Sequence, residues 1–269
     1  MTYTFGNNAA TLERARRLGK LLVDHADAIG EDGEIKVTMD NGEIFATLYG
    51  WWRLVNRSAR ALWLLADSGY TVESIPIMRN LFEHTIKLMW LKDNGRPGLN
   101  ALAAYAEIKR SKQLEKLRTT GWSIADEIDT TTWQSAQVPA EGTPERARHN
   151  TLLGELKNVN NFLVAYDRAD FYPVYSYLSE HSHPSIHTAN AYIQDLAGGH
   201  FQLRHTAERA GYSDLLWATV CLIQAADMVS SVIVGDPLRR VVEEAAHDLG
   251  VGTPESLRGQ RRTPFPAGS

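Results

Sequence analysis

Six consecutive residues, Arg79-Asn-Leu-Phe-Glu-His84, set three ionisable side chains into a stretch that is otherwise strongly apolar, with Ile75, Ile77, Met78, Leu81, Phe82, Ile86, Leu88, Met89, Trp90 and Leu91 around them. Taking a charge out of water without a partner is costly, so these groups need partners. Arg79 and Glu83 stand one helical turn apart and can touch, and Lys87 continues the same stripe. That spacing suits an internal ion-pair network fixing helix registry. His84 projects about 140° round the helix from Arg79, so those two converge only across a groove or a partner subunit.

A second concentration of chemistry lies in Tyr175-Ser-Tyr-Leu-Ser-Glu-His-Ser-His-Pro-Ser-Ile-His187, followed by His200 and His205. Five of the nine histidines thus fall within one short span, which raises the prospect of a proton shuttle or a metal site. Zinc ligands commonly come at i, i+4 on a helix or with cysteines, and neither pattern is present; paired Glu-x-x-His motifs for a di-iron bundle are missing too. No resident metal or cofactor is expected, and the histidines read as helix-end caps and cleft residues. The aromatics Trp51, Trp52, Trp63 and Trp90 could line a pocket, but at helical spacing they are more often core. Arg53, Arg57 and Arg60 form the leading local basic stripe, for which a solvated helix face is the default. No Gly-rich phosphate loop, nucleophile elbow or dinucleotide fingerprint occurs.

These side chains need elements to hold them. Leu12, Ala15, Leu18, Leu22 and Ala26 recur at helical spacing from Thr11 to about Ile29, and Leu48, Trp52, Val55, Ala59 and Leu62 do the same from about Glu43 to Asp67. Between them the alternation around Asn41-Gly42 predicts a small hairpin near residues 34–46 or an extended lead-in. Thr71 to Gly95 reads as the central helix, apolar on nearly all sides, and Asn100 to about Arg118 as a more polar one. A thinner helix is expected from Ser123, an exposed loop from Ser135, and a helix from Thr143-Pro144 to about Tyr166. Phe171 to about His183 is a short helix stopped ahead of Pro184, since the residue before proline resists helical geometry. Ser213 to Val234 is the last long core helix and Pro237 to Leu249 a surface one. Seven or eight helices without βαβ alternation give an all-α bundle, one helical domain over 1–250 followed by an extended tail over 251–269.

At 269 residues and 43% hydrophobic, the chain can bury one large core, and one or two tightly joined helical units fit equally well. A net charge of −4 supplies no global positive field, so any contact with RNA must be local. The single cysteine, Cys221, excludes a disulfide within the chain and reads as a buried, inert thiol. No stretch reaches ~18 apolar residues and the N-terminus has no signal-peptide pattern, so a cytoplasmic protein without membrane contact is expected.

Two segments together resemble a bacterial all-helical family, domain of unknown function 5677: Ser68-Gly-Tyr-Thr-Val-Glu-Ser-Ile-Pro-Ile-Met-Arg-Asn-Leu-Phe-Glu83 and Tyr177-Leu-Ser-Glu-His-Ser-His-Pro-Ser185. The resemblance would span about residues 45 to 235. It implies an all-helical fold with Arg79, Glu83 and His183 as a polar centre, and supplies no activity. Arg79-Asn-x-x-x-His84 is also similar to the motif of the small helical HEPN ribonucleases. That likeness implies an arginine steadying phosphate and a histidine helping to activate the ribose hydroxyl, chemistry that needs no metal.

Three functional expectations follow. The first is a metal-independent, HEPN-like RNA-cleaving enzyme in a stress or defence setting, with Arg79 on phosphate and His84 or His183 as base, working in a basic groove or in the cleft of a homodimer. The second is a non-enzymatic module whose pocket, lined by Trp52, Trp90, Tyr177, His183 and Arg53, holds a small molecule or a partner segment. The third is a metalloprotein using Glu83 with His181, His183 or His187.

Overall fold

The computed structural model describes residues 3–31, 34–38, 42–123, 136–196, 200–207, 213–254 and 261. The described residues are mostly helical, with one small two-stranded antiparallel sheet, so the all-α class stands. The chain gathers into two compact units, residues 1–92 with 170–260 and residues 93–169 with 261–269.

The first unit contains the two chemistry-bearing segments. Its helices are α1 (Ala9–Glu31), α2 (Gly42–Asp67), the opening part of α3 (Ile75–Thr119), α6 (Tyr172–Glu180), α7 (Ile186–Asn190), α8 (Ser213–Ser230) and α9 (Arg239–Leu249), with strands β1 (Ile193–Asp195) and β2 (Phe201–Leu203) between α7 and α8. Helix α8 is the hub against which α1, α2 and α9 pack. Its buried Val220, Leu222, Ile223 and Val229 meet a core that includes Leu18 and Leu22 of α1, Leu48 and Val55 of α2, and Val242 of α9. Removing side chains of this size from water stabilises the fold by about 1.5–3 kcal/mol each. Within that core the Thr219 hydroxyl donates to the Ala15 carbonyl at 2.9 Å, which satisfies a buried polar group between α1 and α8.

Helix α3 is as apolar as its sequence demands: Ile75, Met78, Leu81, Leu88, Trp90 and Leu91 are all fully buried. Gly95, expected to stop it, has φ 52° and ψ −134° and breaks the helix, which then runs on past Pro97 to Thr119. Cys221 is free and buried, as the sequence implied, and burial pushes its thiol up to about 12 despite a hydrogen bond with Thr85.

Other elements differ from the sequence reading. Val37 forms a bridge to Ile233, flanked by Thr38 N–H to the Val232 carbonyl at 2.9 Å and Val234 N–H to the Lys36 carbonyl at 2.8 Å. The extended lead-in thus pairs with a segment nearly two hundred residues away, and α2 already begins at Gly42, leaving no return strand; residues 39–41 lie outside the described residues. Helix α8 ends at Ser230 because residues 232–234 serve that bridge. The hairpin of β1 and β2, with Ile193 opposite Leu203 and Asp195 opposite Phe201, carried no clear alternation in the sequence.

The second unit holds the rest of α3 with α4 (Pro144–Leu156) and α5 (Val159–Ala165). Thr143 caps α4 by accepting from Arg146 N–H at 3.1 Å, while Asn158 caps α5, so the single helix expected to Tyr166 is two. Arg261, from the segment read as a tail, pairs with Glu155 at 2.5 Å. The helix expected from Ser123 falls outside the described residues. Among the described residues, no helix is long and apolar enough to cross a membrane.

Helices α1 and α2 are tied by a polar hub at Asp27. Arg53 Nη1 lies 2.8 Å from its Oδ1, and Arg60 pairs with its Oδ2. Burial pushes the Asp27 carboxyl up, but the hydrogen bonds and charges of the two arginines outweigh that and hold it below its ordinary value of 3.8. The stabilisation is therefore complete above that value and lost as pH falls through the lower folded one. Asp27→Asn is expected to lower unfolding stability by about 1 kcal/mol at neutral pH, in urea titrations. The gap to the wild type should narrow as pH falls below the ordinary value of 3.8 and close only below the lower folded value, where Asp27 is neutral in both states.

Candidate functional site

Arg79, Glu83 and Lys87 follow one another at four-residue intervals along α3 and so form one stripe. The opposing side chains come from α6 and the turn after it. Pro173 sits in the first turn of α6, where its missing N–H does no harm, and Leu178 is the buried anchor of the helix. Tyr175, three residues before Leu178, shares that inward face. The helix stops at Glu180, and Ser182 folds its hydroxyl back onto the Leu178 carbonyl at 2.6 Å. Pro184 forbids continuation, and Ser185 starts α7 with a capping box: Thr188 N–H donates to Ser185 Oγ at 3.2 Å, and Ser185 N–H to Thr188 Oγ1 at 3.0 Å. His183 is thus held on a tight turn fixed from both ends.

The guanidinium of Arg79 is the centre of the arrangement. Its Nη1 lies 3.1 Å from His183 Nε2, its Nη2 donates to the Tyr175 hydroxyl at 3.1 Å, and its Nε lies 3.2 Å from Glu83 Oε1. The Nε contact is ionic and lacks hydrogen-bond alignment. Tyr175 in turn donates to Glu83 Oε1 at 3.3 Å, and its ring centroid lies 5.5 Å from the guanidinium carbon. Lys87 Nζ approaches Glu83 Oε2 at 3.7 Å. Arg79 and Glu83 are about three-quarters buried, whereas His183 is exposed. Because a guanidinium can only donate, His183 Nε2 is the acceptor in this contact and its proton is carried on Nδ1. A cation whose orientation is set from behind by a carboxylate and a phenol therefore meets solvent beside a histidine.

The sequence reading named Arg79, Glu83 and His183, and the structure brings those three together. Tyr175 received no role there; its only signal was its place three residues from Leu178 on the inward face of an amphipathic turn. His84 belongs elsewhere. Its Nδ1–H donates to the Asn80 carbonyl one turn back at 2.7 Å, and its ring meets Trp51 edge-on at 6.3 Å, on a different face of α3 from Arg79. Burial lowers the His84 pKa, with the charge of Lys87 adding to it and the Asn80 hydrogen bond and Glu83 opposing it.

Trp52 and Trp90, read as lining for a ligand pocket, are 1% and 0% exposed and belong to the core. Their apolar rings fill the helix interfaces, which leaves no face for a ligand. Arg53 is engaged by Asp27 on α1. Tyr177 is exposed and its ring lies tilted against that of His181 with centroids 4.2 Å apart, while His187 pairs with Glu180 at 3.0 Å. Among the described residues, no group of three or more His, Cys, Asp or Glu is placed to hold a metal ion, and Glu83 faces Arg79, Tyr175 and Lys87 instead.

The chain belongs to a family of unknown function (DUF5677), whose model matches residues 45–200, a span that contains Arg79, Glu83, Tyr175 and His183. No curated protein and no solved structure matches the chain significantly.

The His84 geometry sets a measurable titration. Its folded pKa is depressed, so the imidazole stays neutral to lower pH than 6.5, and stability falls only as pH drops from that value toward the folded one. Long-range nitrogen–proton NMR is expected to show His84 as the Nδ1–H tautomer with a pKa below 6.5. A ring protonated on Nε2 at neutral pH would contradict the Asn80 contact.

Proposed function

We propose that this member of the family is a metal-independent RNA-cleaving enzyme centred on Arg79 and His183, with Glu83 and Tyr175 as positioning residues. The observation that carries the reading is the 3.1 Å contact between Arg79 Nη1 and His183 Nε2 at the exposed rim of a half-buried network. The likeness of Arg79-Asn-x-x-x-His84 to the HEPN motif supports the choice of RNA. His84 gives up the role of base, since it points to another face of α3.

The chemistry follows from exchange of one hydrogen bond. An incoming phosphate is a stronger acceptor for a guanidinium than an imidazole is, because the hydrogen bond is then charge-assisted on both sides. It takes Arg79 Nη1, and the lone pair of His183 Nε2 is released. That nitrogen accepts the proton of the ribose 2′-hydroxyl, the 2′-oxygen attacks phosphorus, and the bond from phosphorus to the 5′-oxygen breaks. The departing 5′-oxygen takes a proton from water, which the exposed site admits. The added negative charge of the transition state falls beside Arg79, whose orientation Glu83 and Tyr175 have already fixed. Because Glu83 neutralises only part of the local charge of Arg79 and Lys87, the site keeps a net attraction for phosphate.

In the presence of EDTA, purified protein is expected to cleave single-stranded RNA. Arg79→Ala and His183→Ala, each shown by circular dichroism to remain folded, should each lose about 100-fold or more. His84→Ala should retain activity. Absence of cleavage by the wild type, or equal rates in all four proteins, would overturn the reading and leave Arg79 as an anion-binding or structural centre.

A further inference from the structure

A second flank of α3, about 100° round from Arg79, carries a polar arrangement that the Arg79 network does not use. A cavity of about 750 Å³ opens between α2 and the start of α3. Arg57, Ser58 and Ala61 line it from α2, and Pro76, Ile77 and Asn80 from α3. A volume of that size falls within the range of small-molecule sites, roughly 300–1,000 Å³. All six residues lie in the first unit.

Charge decides what such a cavity takes. Arg60 also lines it, but its guanidinium is drawn to Asp27 and to Asp24 at 3.6 Å, so its charge is compensated. Arg57 is exposed and forms no ion pair or hydrogen bond among the described residues. Among the described residues, no carboxylate lines the cavity. Two neutral side chains stand beside it without a side-chain partner among the described residues: the hydroxyl of Ser58, which is itself 8% exposed, and the amide of Asn80, whose backbone carbonyl alone is occupied, by His84. Residues bearing an uncompensated guanidinium, a hydroxyl and an amide therefore line one space from two helices, together with the apolar Ala61, Pro76 and Ile77.

We propose that this groove binds a small phosphate monoester with an apolar or aromatic body, Arg57 taking the phosphate with Ser58 and Asn80 and the body lying on Pro76, Ile77 and Ala61. A phosphate monoester presents three oxygens to these three donors where a carboxylate presents two, and a planar body matches the apolar wall. The site does not rest on the RNA-cleaving reading, because Arg79 turns to the other flank of α3.

Isothermal titration with adenosine monophosphate, adenosine and inorganic phosphate tests it on the full chain. Adenosine monophosphate is expected to bind, adenosine at least tenfold more weakly, and inorganic phosphate weakly at the same site by competition. Arg57→Gln should weaken adenosine monophosphate about tenfold or more, the change expected on losing a charged hydrogen bond. Arg240→Gln, on α9 and away from the residues that line the cavity, should leave it unchanged. The proposal is overturned if adenosine monophosphate does not bind at millimolar concentration, or if Arg57→Gln binds it as the wild type does. It is overturned equally if Arg79→Gln loses the binding in place of Arg57→Gln. Binding of a single-stranded RNA oligomer but not of the mononucleotide, lost in Arg57→Gln, would replace the small-molecule site with a nucleic-acid track.

Discussion

A guanidinium on an otherwise buried helix is the constraint on which the rest of the site depends. Helix α3 is core on most of its circumference, so Arg79 can be tolerated only if its charge and its donors are met. Glu83 meets the charge one turn along, Tyr175 takes Nη2 from across the helix interface, and His183 takes Nη1 at the rim. Each of those partners in turn dictates local structure. The phenol requires α6 to lie with its Leu178 face inward, and the imidazole requires the chain to turn sharply at Ser182-His183-Pro184 before α7 begins. The network also separates two kinds of surface on one helix. The Arg79 flank is pre-ordered and mostly compensated, whereas the Asn80 flank faces a cavity with an uncompensated Arg57.

How much of this the sequence disclosed depends on the range of the contact. The pairing of Arg79 with Glu83 and Lys87 is a matter of helical spacing, and was legible at once. The all-α class was equally plain, from the periodic runs of α1, α2 and α8. That His183 should join Arg79 was suggested by the resemblance of two separated segments to one family, not by any spacing. Tyr175 gave almost no signal, because its partners lie some ninety residues away and a tyrosine on a short helix is ordinarily a packing residue. The bridge of Val37 to Ile233 escaped for the same reason, and local alternation around Asn41-Gly42 pointed to a nearer partner.

Two readings changed because periodicity reports a buried face without saying what covers it. Trp52 and Trp90 lie on the apolar stripes of their helices, which are more often core but leave a ligand pocket open; full burial places them in the core. His84 lies on α3 only five residues from Arg79, close in sequence, but the helix turns it toward Trp51. In the same way Arg53 and Arg60 look like a basic stripe in sequence, and only the packing of α1 reveals Asp27 and Asp24 beneath them. Arg57, the middle member of that stripe, keeps its charge for the cavity.

The measurement that bears most directly on the Arg79–His183 account is the chemical identity of the RNA ends, read by mass spectrometry after incubation with the wild-type protein in EDTA. Attack by the ribose 2′-oxygen with His183 as base leaves a 2′,3′-cyclic phosphate on one fragment and a 5′-hydroxyl on the other, and those are the ends expected. Fragments ending in 3′-hydroxyl and 5′-phosphate, or intact RNA, would contradict it, since neither result can come from a histidine that takes the 2′-hydroxyl proton beside a phosphate held by Arg79.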